Sequence, residues 1–93
     1  MTNISEFGIY PDSAYNARHD HLYNKQYQEM LKRLKKARKQ AGLTQVQVAT
    51  ALKRPQSFVS KCESGERRID AIELATYAKL YKKKVVWFIP EGE

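Results

Sequence analysis

Between residues 42 and 70 the chain meets helix stop and start signals at close intervals, and that spacing restricts what it can fold into. Gly42 suits the position just past a helix, where a left-handed backbone favours a residue without Cβ. Thr44-Gln45-Val46-Gln47 then fits a capping box, with the Thr44 hydroxyl and the Gln47 amide closing a new first turn reciprocally. Val48, Ala49 and Leu52 give this second helix an apolar inner side, and only Lys53-Arg54-Pro55 separates it from the next. Proline breaks a helix interior but is tolerated in a first turn. The third helix is therefore expected to start at Pro55 or Gln56, bury Val59 and Cys62, and end before Gly65. Asp70 and Glu73 mark another start, since carboxylates favour the positive end of the helix dipole. Helices shorter than about 12–15 residues do not persist alone in water. These segments hold only by packing on one another, which makes the chain a helical bundle.

The flanks complete that bundle. Tyr27, Met30, Leu31, Leu34, Ala37, Arg38 and Ala41 recur at three- and four-residue steps, one stripe of an amphipathic first helix starting near Asn24. Its opposite face carries Lys32, Arg33, Lys35, Lys36 and Lys39. Leu74, Tyr77, Ala78 and Tyr81 line a fourth helix, and a last turn over 85–89 carries Trp87 and Phe88 before Pro90. No strand pattern appears in 25–89. The expected fold is all-α, a compact bundle of four to five helices over 25–89, with a tail at 90–93. Residues 1–24 read as an arm, because Gly8 and the turn signal Pro11-Asp12-Ser13 interrupt any helical period. Ile4, Phe7, Ile9, Tyr10 and Tyr15 suit an arm that is partly ordered or docks.

Charge narrows the function. Seventeen Lys and Arg oppose ten Asp and Glu, a formal net charge of +7. The excess is uneven: residues 1–24 hold one base against three acids, whereas 25–84 hold sixteen bases against five. A compact basic domain gathers polyanions, nucleic acid first and acidic membrane second. The longest apolar run, Val85-Val86-Trp87-Phe88-Ile89, is far short of the ~20 residues that span a bilayer. With Glu6 and Asp12 near the start no signal peptide is read, and a cytoplasmic, nucleoid-associated location is expected.

Enzymatic chemistry finds little support. Cys62 is the one cysteine, expected to be buried, with no histidine placed to activate it and no second thiol for a disulfide or zinc site. His19-Asp20-His21 offers ligands at i and i+2, which do not share a helix face. No Gly-rich phosphate loop or nucleophile elbow occurs. No cofactor, no metal and no enzymatic activity are expected.

A helix, a three-residue turn and a second short helix make a helix-turn-helix. The series Leu43-Thr44-Gln45, Ala49, Leu52, Gln56-Ser57-Phe58-Val59-Ser60-Lys61 and Glu63-Ser64-Gly65 resembles the Cro/repressor (XRE-type) helix-turn-helix family. The run over 55–70, from Pro55-Gln56-Ser57-Phe58 to Arg68-Ile69-Asp70, is typical of one branch of small bacterial and phage regulators. The resemblance covers residues 25–89 and implies a lambda-repressor-like DNA-binding fold. Lys53 departs from it where the family usually has Gly, and Cys62 where an aliphatic residue or Tyr is usual. Lys53 then either takes a positive φ, at about 1 kcal/mol, or shifts the turn.

The resemblance places Gln56, Ser57 and Lys61 at base-reading positions, with Ser60 beside them. None would repel phosphate, and Gln to adenine or Lys to guanine each discriminate by about 1–3 kcal/mol. Gln45, Arg54, Arg67 and Arg68 are the expected phosphate contacts, although Arg67 and Arg68 also have Glu66 and Asp70 as candidate partners. Arg38 and Glu63 are implied to form a structural ion pair between the first and third helices. The expected function is a sequence-specific transcriptional regulator, a repressor binding double-stranded DNA as a homodimer. The apolar turn with Trp87 and Phe88, or the arm, is the candidate dimer surface, with core as the alternative for Trp87 and the favoured place for Phe88. Two rivals are an antitoxin-like or adaptor protein whose arm binds a protein partner, and a module that keeps the fold without binding DNA.

Overall fold

The computed structural model describes residues 12–91, with side chains described over 25–91. It is all-helical there: α1 (Asp12–Gln40), α2 (Gln45–Leu52), α3 (Gln56–Ser64), α4 (Ala71–Leu80) and α5 (Val85–Phe88), with no strand among the described residues.

Each helix end is explained locally. Gly42 at φ 74 turns the chain out of α1, donating to the Lys39 carbonyl at 2.9 Å. Gln47 N–H donates to Thr44 Oγ1 at 3.1 Å while Thr44 N–H donates to Gln47 Oε1 at 2.9 Å, which is the expected capping box of α2. Lys53 ends α2 in the left-handed region, φ 58 and ψ 45, so the turn is kept and the strain accepted. Pro55 opens α3, and Gly65 at φ 87 closes it. A Cβ at Gly65 would meet Leu31 Cδ1 at 3.0 Å, so both its backbone and its surroundings require glycine. Asp70 and Glu73 cap α4 reciprocally, Glu73 N–H to Asp70 Oδ1 at 2.7 Å and Asp70 N–H to Glu73 Oε1 at 3.1 Å.

The core lies where α1 crosses α3 and α5, with α2 packed on α3 and α4 on α5. Met30, Leu31, Leu34 and Ala37 of α1 meet Val48, Ala49, Val59 and Cys62, and Leu74, Tyr77, Ala78, Tyr81 and Phe88 complete the cluster. Long-range hydrogen bonds fix the periphery. Ile69 N–H donates to Tyr27 Oη at 2.9 Å, and Arg33 Nη1 donates to the Trp87 and Ile89 carbonyls at 3.1 and 3.3 Å.

Two expectations change. The first helix begins at Asp12 rather than near Asn24, so the segment read as an arm carries helical backbone from Asp12 on. Asp12-Ser13 after Pro11 is equally a helix start, and a helix already anchored by its second half extends at low cost. Residues 1–11, with Ile4, Phe7, Ile9 and Tyr10, lie outside the described residues, as do the side chains of Tyr15 and His19-Asp20-His21 and the last two residues of the tail. Ala41 is exposed because α1 has already ended. Phe88 is core, as its alternative reading has it: it is fully buried at 0% exposure, its ring 5.0 Å edge-on from Trp87.

Candidate nucleic-acid interface

The geometry of α3 follows from its two sides. Val59, Cys62 and Glu63 are buried, which clamps the helix on its inner side. Gln56, Ser57, Ser60 and Lys61 are all exposed along the other. These four share one polar edge, uncovered by any described residue of this chain, and their chemistry suits a major groove about 12 Å wide.

Behind that edge lies a buried polar knot. Arg38 Nε donates to Glu63 Oε2 at 2.7 Å and Arg38 Nη2 to Glu63 Oε1 at 3.2 Å, joining α1 to α3. The Glu63 side chain is only 2% exposed and that of Arg38 11%. Arg38 Nη1 also donates to the Leu43 carbonyl at 2.9 Å. The hydrogen bonds to Glu63 raise the Arg38 guanidinium above its ordinary value, with burial opposing. Gln45, half-buried at the start of α2, donates from Nε2 to Glu63 Oε1 at 3.1 Å. Its side chain is therefore held by the knot.

The other expected phosphate contacts are placed differently from one another. Arg54 is exposed in the α2–α3 turn with its Cζ 4.4 Å from the Phe58 ring centroid. Arg67 is half-buried, its Cζ 4.6 Å from the same ring. The sequence offers Glu66 and Asp70 as its candidate protein partners. Instead Nη1 and Nη2 each donate to a different oxygen of Glu73 at 2.8 Å, because the chain after Gly65 brings Arg67 against the first turn of α4. The Arg67 hydrogen bonds hold the Glu73 carboxyl below the usual carboxylate range despite its partial burial. Arg68 is exposed with Cζ 5.1 Å from the Tyr27 ring centroid. Phe58 received no role from the sequence, and its signal there is weak: an aromatic residue one helical turn after Arg54.

Away from this face, Lys83 Nζ lies 4.3 Å from the centroid of half-buried Trp87, while Val86 and Ile89 remain exposed. Lys32, Lys35, Lys36 and Lys39 line a groove along α1 that reaches Glu63. No group of three or more His, Cys, Asp or Glu side chains suited to a metal occurs among the described residues, and no described helix is long and apolar enough to cross a membrane. Cys62 is buried at 0% exposure.

Comparison with known proteins agrees with this arrangement. A family model described as helix-turn-helix matches residues 34–88. Among solved structures, the chain is similar to an XRE-family like protein from Pseudomonas syringae pv. tomato str. DC3000, at 41% identity and a TM-score of 0.71, over 78% of this chain and 88% of that one. No curated protein matches.

Proposed function

From the premise that this chain belongs to the XRE-type helix-turn-helix family of DNA-binding transcriptional regulators, we propose that it is a homodimeric repressor of a near-palindromic operator. The observation that carries the reading is the uncovered polar edge of α3, where Gln56, Ser57, Ser60 and Lys61 all face outward. In this reading Gln56 and Lys61 make the discriminating base contacts, and Ser57 and Ser60 fill between them. Gln45, Arg54 and Arg68 contact phosphate and set the register without reading sequence. The Arg38–Glu63 pair holds α3 at a fixed angle to α1.

A single short helix makes too few base contacts for tight selection, so two copies are needed. Their recognition helices would lie about 34 Å apart in successive major grooves and occlude polymerase. Exposed Val86 and Ile89 beside Trp87 supply an apolar patch for the dimer. DNA as partner places the protein in the cytoplasm, on the nucleoid. Nothing in this mechanism needs a cofactor or a reaction.

The test is selection of bound duplexes from a random pool at two salt concentrations, for the wild type and for Gln56→Ala/Lys61→Ala. The wild type should enrich a two-fold symmetric site, and with about four arginine–phosphate contacts per dimer its affinity should fall with salt at a log–log slope of about −4. The double variant should bind duplex but enrich no site. Unchanged enrichment in that variant would remove direct readout by α3.

A further inference from the structure

Phe58 lies in the first turn of α3 and, with Leu52, Arg54, Glu73, Thr76 and Tyr77, lines a cavity between the α2–α3 turn and α4. Two guanidiniums share its ring, Arg54 at 4.4 Å and Arg67 at 4.6 Å from the centroid. Two cations at one ring repel each other, and the structure resolves this unequally. Arg67 is bound through both terminal nitrogens to Glu73 at 2.8 Å, and Nη1 also donates to the Arg68 carbonyl at 2.9 Å. Glu73 is itself fixed as the N3 partner of Asp70 in the capping box of α4. Arg67 is thus neutralised, and three of its four terminal N–H donors are used within the protein. Arg54 is exposed, and no hydrogen bond from its guanidinium to protein is found among the described residues. A guanidinium resting on a ring through its π face keeps its N–H donors at its edge, available to a phosphate.

We infer that Phe58 is a positioning residue for DNA binding: its ring holds the Arg54 guanidinium ready as the phosphate contact at the start of α3, while Arg67, pinned to Glu73, secures that ring's surroundings and does not touch DNA. The inference rests on the reading of α3 as the recognition helix. It divides two arginines that the sequence presents as equivalent. It also gives an uncharged residue a measurable electrostatic consequence, because an arginine released from the ring samples many rotamers and loses its fixed reach to phosphate.

The experiment measures the salt dependence of affinity for a selected duplex, with a thermal melt of each variant. Arg54→Gln should lower the magnitude of the log–log slope by about 0.9 per protomer, one phosphate contact. Phe58→Leu, which changes no charge, should lower it by most of the same amount, and adding it to Arg54→Gln should change nothing further. Phe58→Tyr, which keeps the ring, and Arg67→Gln should both retain the wild-type slope. A purely structural Phe58 would shift the melt and leave the slope alone, so an unchanged slope in Phe58→Leu overturns the inference. So does a slope reduced by a full contact in Arg67→Gln. If Phe58→Leu does not fold, Phe58→Met takes its place, and the free wild-type protein offers a further check. Its Arg54 side-chain protons should be shifted upfield by the ring, and their resonance at ordinary positions overturns the inference without reference to DNA. A wild type that binds no duplex at any salt overturns the regulator reading and this inference together, whereas wild-type binding with a silent Phe58 overturns this inference alone.

Discussion

Replacing Arg38 by alanine exposes how α3 is held. The Glu63 carboxylate accepts three hydrogen bonds, two from Arg38 and one from Gln45, with its side chain only 2% exposed. Arg38→Ala removes two of them together with the only cation paired to that carboxylate among the described residues, and it leaves the Leu43 carbonyl without its guanidinium donor. Breaking a buried pair costs about 3–5 kcal/mol. The retained Gln45 bond and the water admitted by the missing side chain favour the low end, about 3 kcal/mol, or roughly 12–15 °C in melting temperature for a domain of this size. Urea and thermal unfolding followed by circular dichroism would measure it. The double replacement Arg38→Met/Glu63→Leu removes both charges and should recover most of the loss. An Arg38→Ala midpoint equal to wild type at neutral pH would refute this account.

Lys53→Gly should stabilise the protein by up to about 1 kcal/mol, since Lys53 sits at φ 58 where a side chain is strained; a lower urea midpoint in the variant would count against that strain. Glu73 is held below the usual carboxylate range chiefly by its Arg67 hydrogen bonds, so its contribution is complete above the unfolded carboxylate value and is lost as pH falls through the depressed one. Glu73→Gln should flatten the acid limb of stability against pH, and parallel limbs in variant and wild type would contradict it.

Helix ends were legible because the interactions that make them are local. The Thr44–Gln47 and Asp70–Glu73 boxes, the proline opening α3 and the left-handed Gly65 each depend on residues within a turn of one another, so residue type and spacing suffice. The outward edge of α3 was legible for the same reason, since burying Val59 and Cys62 leaves Gln56, Ser57, Ser60 and Lys61 on the far side. The start of α1 was less so, because Pro11-Asp12-Ser13 is a signal for both a turn and a helix start, and the choice depends on what anchors the helix further along.

By itself, then, the sequence determined that the chain is a bundle of four to five helices, the borders of the second and third, and the polar edge of the third. Only the tertiary structure decided which cations remain available. Arg33 is drawn to the carbonyls of Trp87 and Ile89, more than fifty residues away, and Arg67 to Glu73 across the α3–α4 connection, while Arg54 beside the same Phe58 ring keeps its donors. The physical reason is that a capping bond is fixed by neighbours along the chain. A guanidinium instead takes whichever carboxylate or carbonyl the packed helices bring within about 3 Å, and no periodicity records that.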